Sequence, residues 1–133
     1  MIGSGDGKTV FIIEDDDELR FLLREALSKE AYDVMEAENG KVALEELEAA
    51  VGSPDLILLD LNMPVMNGFE FLEIYREKFG NDVPIVVVTG ADLTEKDKNF
   101  LSGEVTRILE KTPDTEGTIA GDIAKVLRNV RMG

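Results

Sequence analysis

The sequence predicts an α/β domain: five parallel strands in one sheet, with helices packed on both faces. Two observations lead there. Three short apolar runs, residues 10–13, 56–59 and 85–88, are continuous rather than alternating, as in strands buried on both faces of a parallel sheet. Between and after them, apolar residues recur at helical spacing, and alternating strand and helix segments imply right-handed crossovers. The chain has 133 residues, 44% of them hydrophobic, which suits one domain with a substantial core.

Taken in order, residues 1–7 carry Gly3, Gly5 and Gly7 and read as a flexible leader ahead of a domain spanning 8–133. These glycines precede the first strand, whereas a dinucleotide-binding loop must follow it. The first helix is marked by Leu19, Leu22, Leu23, Ala26 and Leu27, with Asp16, Asp17 and Glu18 at its N-terminus, where acids favour the macrodipole. Residues 32–37 form an edge strand with Tyr32 and Val34 on one face. Ala43, Leu47 and Ala50 mark the second helix, and Leu72, Tyr75 and Phe79 the third. Residues 94–102 read as a short polar fourth helix, capped by Thr94 and loosely held because only Phe100 and Leu101 are large and apolar. Residues 105–110 form the other edge strand, and Ile119, Ile123, Val126, Leu127 and Val130 a final helix.

Composition removes several functions. Fourteen basic against 28 acidic residues leave a net charge of −14, the wrong balance for gripping a phosphate backbone directly. Cysteine and histidine are absent, which excludes disulfides, thiol nucleophiles, histidine-dependent triads and the usual zinc ligands. Any bound metal should be a hard cation held by oxygen. No apolar run exceeds four residues and no signal-peptide core opens the chain, so a reducing, cytoplasmic location is expected.

The ends of the predicted strands carry the chemistry. The first ends in Glu14, Asp15 and Asp16, the third in Asp60, the fourth in Thr89 and Gly90, and the fifth in Lys111. Open α/β sheets bind ligands at that edge. Two carboxylates about 5 Å apart repel by roughly 3 kcal/mol at an effective dielectric near 20, so such a cluster calls for a cation, and Mg2+ is the natural one. A carboxylate, a hydroxyl, an ammonium and a metal together suit phosphoryl transfer to a carboxylate nucleophile.

The segments VFIIEDDDELR (10–20), PDLILLDLNMPVMNGFEFL (54–72), PIVVVTG (84–90) and ILEK (108–111) resemble the response-regulator receiver domains of two-component signalling. The resemblance implies a flavodoxin-like, doubly wound sheet in the order 2-1-3-4-5. It implies Asp60 as phosphoacceptor and Mg2+ as cofactor. Asp15 would bind the metal directly, Glu14 through water and Asn62 through its backbone carbonyl. Thr89 and Lys111 would engage the phosphoryl oxygens, and Pro64 and Gly68 would shape the loop after the third strand, with Gly68 permitting a tight turn into the helix. The implied partners are a histidine kinase or phosphotransfer protein and a downstream effector, with neither nucleic acid nor membrane engaged directly and a phosphorylation-dependent dimer allowed. The chain would be no enzyme beyond its own phosphorylation and dephosphorylation. It ends just after the last helix, as expected of a stand-alone regulator or a piece of a larger regulator or hybrid kinase.

Departures from the family pattern sharpen the expectations. Thr112 stands between Lys111 and Pro113, where Lys-Pro is usual, which bears on the loop's path and on a cis bond there. Ile108 replaces the usual aromatic residue, so an aromatic rotamer switch is expected to be absent. Asn62 and Asp92 are expected to flank the path of an attacking water and set the lifetime of the phosphorylated state. Three other readings compete. A degenerate receiver would bind partners without being phosphorylated. A haloacid-dehalogenase-type phosphatase needs an acid two residues after its nucleophile, where this chain has Asn62. A flavodoxin needs a phosphate cradle where this chain has successive acids.

Overall fold

The computed structural model describes residues 7–90 and 92–132, the side chains of 130–132 excepted. Apart from Gly7, the expected leader lies outside the described residues, as does the side chain of Val130. Five strands, β1 (Thr9–Ile13), β2 (Asp33–Ala37), β3 (Leu56–Leu59), β4 (Ile85–Thr89) and β5 (Arg107–Glu110), alternate with five helices, α1 (Asp17–Lys29), α2 (Gly40–Ala49), α3 (Gly68–Phe79), α4 (Glu95–Ser102) and α5 (Thr115–Met132). All strand pairs are parallel, in the order β2-β1-β3-β4-β5. The fold is the one the sequence predicts.

The continuous apolar runs have a direct cause. Successive residues of a strand face opposite sides, and both sides here are covered. Phe11, Ile13, Ile57, Leu59, Ile85 and Val87 pack with residues of α2, α3 and α4, including Ala43, Leu47, Phe71, Tyr75 and Leu101. Val10, Ile12, Leu56, Leu58, Val86 and Val88 pack with α1 and α5 through Leu23, Leu27, Ile119, Ile123 and Val126. Tyr32 and Val34 share this second face, as the edge-strand pattern requires.

Two details differ from the sequence pattern. Ala50 falls just past α2 as its C-terminal cap. Phe79 is 38% exposed and stacks on Tyr75, with centroids 5.3 Å apart, so it lids the core rather than filling it. The fourth helix is held by few contacts, as its polarity suggests: Leu101 is its one buried residue, and Phe100 meets the ring of Phe69 at 6.0 Å. Thr94 caps it in a reciprocal box with Asp97. Among the described residues no helix is long and apolar enough to cross a membrane.

Candidate functional site

Parallel pairing in register brings the C-terminal ends of the strands to one edge. The β3 end is tied to β1 by the Asp60 N–H, which donates to the Ile13 carbonyl at 3.0 Å, and the β5 end to β4 by the Lys111 N–H, which donates to the Thr89 carbonyl at 2.9 Å. Glu14, Asp60 and Thr89 are buried there, Asp15 is exposed, and Lys111 is half-buried. One oxygen from each of Glu14, Asp15 and Asp60 lies within 4.8 Å of the others. The Lys111 ammonium reaches across, 3.0 Å from Glu14 Oε1, 3.2 Å from Glu14 Oε2 and 3.4 Å from Asp60 Oδ2. The Asn62 N–H faces Asp60 Oδ1 at 3.4 Å.

The acids after β1 divide by role. Asp16 caps α1, its carboxylate accepting from the Leu19 N–H at 3.1 Å, and Asp17 and Glu18 occupy the first turn. Glu14 turns inward instead and accepts from the Asp16 N–H at 3.1 Å.

The loop after β3 is built by close approach. The Gly68 N–H donates to the Leu61 carbonyl at 3.0 Å, folding the start of α3 back onto the strand end. A Cβ on Gly68 would lie 2.6 Å from the Asp60 carbonyl oxygen and 2.8 Å from Leu61 Cα. Gly68 is therefore required by contact, not by the turn conformation expected from sequence: its φ is not positive, whereas exposed Val65 carries φ 69 and the Met66 N–H closes a tight turn onto the Pro64 carbonyl at 2.7 Å. Met63 and Met66 pack against the core, and the Met66 carbonyl accepts from the Gly40 N–H at the start of α2.

After β5, no cis peptide bond occurs among the described residues. Thr112 and Thr115 hold the loop: the Thr112 N–H donates to Thr115 Oγ1 and that hydroxyl donates back to the Thr112 carbonyl, both at 2.8 Å. Lys111 thus reaches the carboxylates without the usual Lys-Pro step. Asp92 and Ile108, the latter 38% exposed, line an open cleft of about 350 Å³ with Thr89 and Lys98.

Two classes of contributor escaped the sequence reading. Asn39 and Asn67 cap α2 and α3; for Asn67, with Glu70 three residues on, an N-x-x-E box was there to be found. Arg20 was the second omission. Its guanidinium donates to the Glu14 carbonyl at 2.7 Å, and nothing in the local pattern distinguishes it from a surface arginine.

The electrostatics are those of a charged cluster partly withdrawn from water. Burial, and then the Asp60 charge, push the Glu14 carboxyl up to about 7. Burial also raises Asp60, although Lys111 pulls the other way. For Lys111, burial would lower the ammonium, but hydrogen bonds and charges from Glu14 and Asp60 outweigh it and the group titrates higher than usual. Three carboxylates facing one ammonium leave an excess of negative charge on an all-oxygen donor set. That set fits a hard divalent cation such as Mg2+ and suits no soft metal.

The family model described as "Response regulator receiver domain" matches residues 10–120. The KDP operon transcriptional regulatory protein KdpE of Escherichia coli is 42% identical over 89 residues, covering 67% of this chain and 37% of KdpE. The response regulator TrrA of Thermotoga maritima, solved in complex with Mg2+–BeF, superposes with a TM-score of 0.74 at 27% identity, over 90% of this chain and 98% of TrrA. A CheY-like receiver domain protein from Methanospirillum hungatei superposes at 0.83 and 23% identity, over 95% of this chain and 98% of that one, and shares the fold. The chain spans 34–39% of the length of the first curated relatives it matches.

Proposed function

The chain belongs to the response-regulator receiver domain family, and from that premise we propose that it is a switch phosphorylated on Asp60. One observation carries the reading: Glu14, Asp15 and Asp60 converge within 4.8 Å beneath the Lys111 ammonium. The Mg2+–BeF complex of TrrA supports it.

The donor is a phosphohistidine on a kinase or phosphotransfer protein. An ionised Asp60 oxygen attacks phosphorus; the new O–P bond forms as the donor's P–N bond breaks, and the imidazole leaves with the electron pair. Asp60 needs no base, since it reacts as the carboxylate. Lys111 holds a fixed positive charge beside the acceptor and is kept protonated by its two carboxylate neighbours. The Thr89 hydroxyl donates to a phosphoryl oxygen. Asp15 would hold the metal directly, Glu14 through water and Asn62 through its carbonyl, and Mg2+ would supply neutralisation of charge on the carboxylates and on the transferring group. Phosphorylation then biases a two-state equilibrium at the Thr89–Gly90 segment, α4 and β5, which a downstream effector or a second copy of the chain reads. Ile108 offers no ring to rotate in that change.

The phosphatase rival is separated by incubation with p-nitrophenyl phosphate and Mg2+. The switch releases at most one nitrophenolate per chain in a first burst and then no faster than its own acyl phosphate is hydrolysed; sustained turnover faster than that decay would establish a phosphatase instead. The lifetime of the phosphorylated state is expected to depend on Asn62, which is exposed beside Asp60. Asn62→Met should hinder the attacking water and slow phosphoryl loss about tenfold, a barrier change of roughly 1.4 kcal/mol. An unchanged decay rate would remove Asn62 from that path.

A further inference from the structure

We propose that Arg20 is a positioning residue for the acidic site: it grips the Glu14 carbonyl and so fixes the backbone that aims Glu14 and Asp15 at Asp60. The inference rests on the reading of that cluster as a divalent-cation site.

Glu14 lies one residue beyond β1, where sheet pairing is ending and the chain turns toward α1. Its N–H is held by the Ala37 carbonyl of β2 at 3.0 Å. Its carbonyl accepts from Arg20 Nη1 at 2.7 Å, so the peptide that links Glu14 to Asp15 is pinned from the α1 side. The same guanidinium has two further anchors: Asp17 Oδ1 at 2.5 Å from Nη2, and Glu36 Oε1 at 3.5 Å from Nε. Glu36 belongs to β2, stands opposite Ile12 of β1 in register, and also pairs with Arg24 at 3.3 Å. The Arg20 side chain is only 18% exposed. One planar fork therefore joins the β1–α1 loop, the first turns of α1 and the edge strand, a geometry that a lysine's single ammonium cannot reproduce. Asp15 is exposed and its carboxyl meets that of Asp60; that aim depends on the backbone on either side.

The electrostatic sign separates positioning from a bare charge effect. Removing a positive charge near three carboxylates should, through space alone, tighten cation binding. Loss of positioning should weaken it. Mn2+ affinity, followed by the electron paramagnetic resonance signal of the free ion, reads this directly on purified chain at a temperature where each variant is folded by circular dichroism. Arg20→Met should raise the Mn2+ dissociation constant about tenfold, in the range typical of groups that orient metal ligands. Arg20→Lys keeps the charge and should fall between Arg20→Met and the parent. Arg24→Met shares the Glu36 partner but does not hold Glu14, and should stay within about twofold of the parent. Should Arg20→Met fail to fold, Arg20→Lys decides alone. Affinity equal to or tighter than the parent in the Arg20 variants would overturn the inference. A parent chain that binds no Mn2+ would overturn the metal reading, and this inference with it.

Discussion

Gly68→Ala is expected to destabilise the protein by about 1–3 kcal/mol, or more if the loop cannot shift, and to impair phosphorylation as well. The new Cβ would lie 2.6 Å from the Asp60 carbonyl oxygen, 2.8 Å from Leu61 Cα and 2.9 Å from Leu61 Cδ2. Two of these atoms are backbone and cannot rotate away. The third atom belongs to the almost fully buried Leu61 side chain. Relief must come from separating α3 from the end of β3, which breaks the Gly68–Leu61 hydrogen bond and drags the acceptor residue with it. Gly117→Ala is the matched control. Gly117 lies in α5 with nothing near its missing Cβ, and alanine there should stabilise by about 0.5–1 kcal/mol. Chemical denaturation of both variants checks the opposite signs. A neutral Gly68→Ala would show that the close approach is not a constraint.

The second large effect is expected from Lys111→Met, and it should depend on pH. Glu14 titrates near 7 in the folded chain against an ordinary value of 4.5, and Asp60 is also raised. Between those values the folded state binds more protons than the unfolded one, so metal-free stability falls as pH rises from about 4.5 to 7. The Lys111 pKa is raised from 10.5; its contribution is fully present below that and lost only at higher pH, so Lys111 itself does not titrate in this window. Without it, two buried carboxylates lose their counter-charge and their protons become still harder to remove. In EDTA, Lys111→Met should be less stable than the parent by about 2 kcal/mol at pH 8, a quarter-exposed partner giving less than a fully buried one. The difference should shrink toward pH 5, where Glu14 is protonated in both chains. Denaturation at the two pH values reads it directly. A difference independent of pH would mean that Lys111 contributes packing alone.

Much of this molecule was legible in the sequence because the responsible physics is local or periodic. Continuous apolar runs marked the strands covered on both faces, and the alternation of Tyr32 and Val34 marked an edge. Thr94 caps α4 as the hydroxyl followed three residues later by Asp97 indicates, and Asp16 stands at the acidic N-terminus read for α1. The juxtaposition of Glu14, Asp15, Asp60 and Lys111 followed from strand ends that a parallel sheet brings together.

The individual partners of side chains away from the strand ends were not legible. Gly68 looks like a turn glycine until Asp60 and Leu61 are seen against it. Arg20 resembles any helix-surface cation until its carbonyl partner is known. Phe79 keeps the helical period yet sits where the helix leaves the core.

The central claim is that Asp60 accepts a phosphoryl group in a site completed by a divalent cation. Intact mass after incubation with a small acyl phosphate or phosphoramidate tests it most directly, run with Mg2+, with EDTA, and on Asp60→Asn. One added phosphoryl group is expected in Mg2+ alone, absent with EDTA and absent in Asp60→Asn. No addition under any condition would contradict it and favour a receiver that works by partner binding alone; addition that survives loss of Asp60 would contradict it by placing the phosphoryl group on another residue.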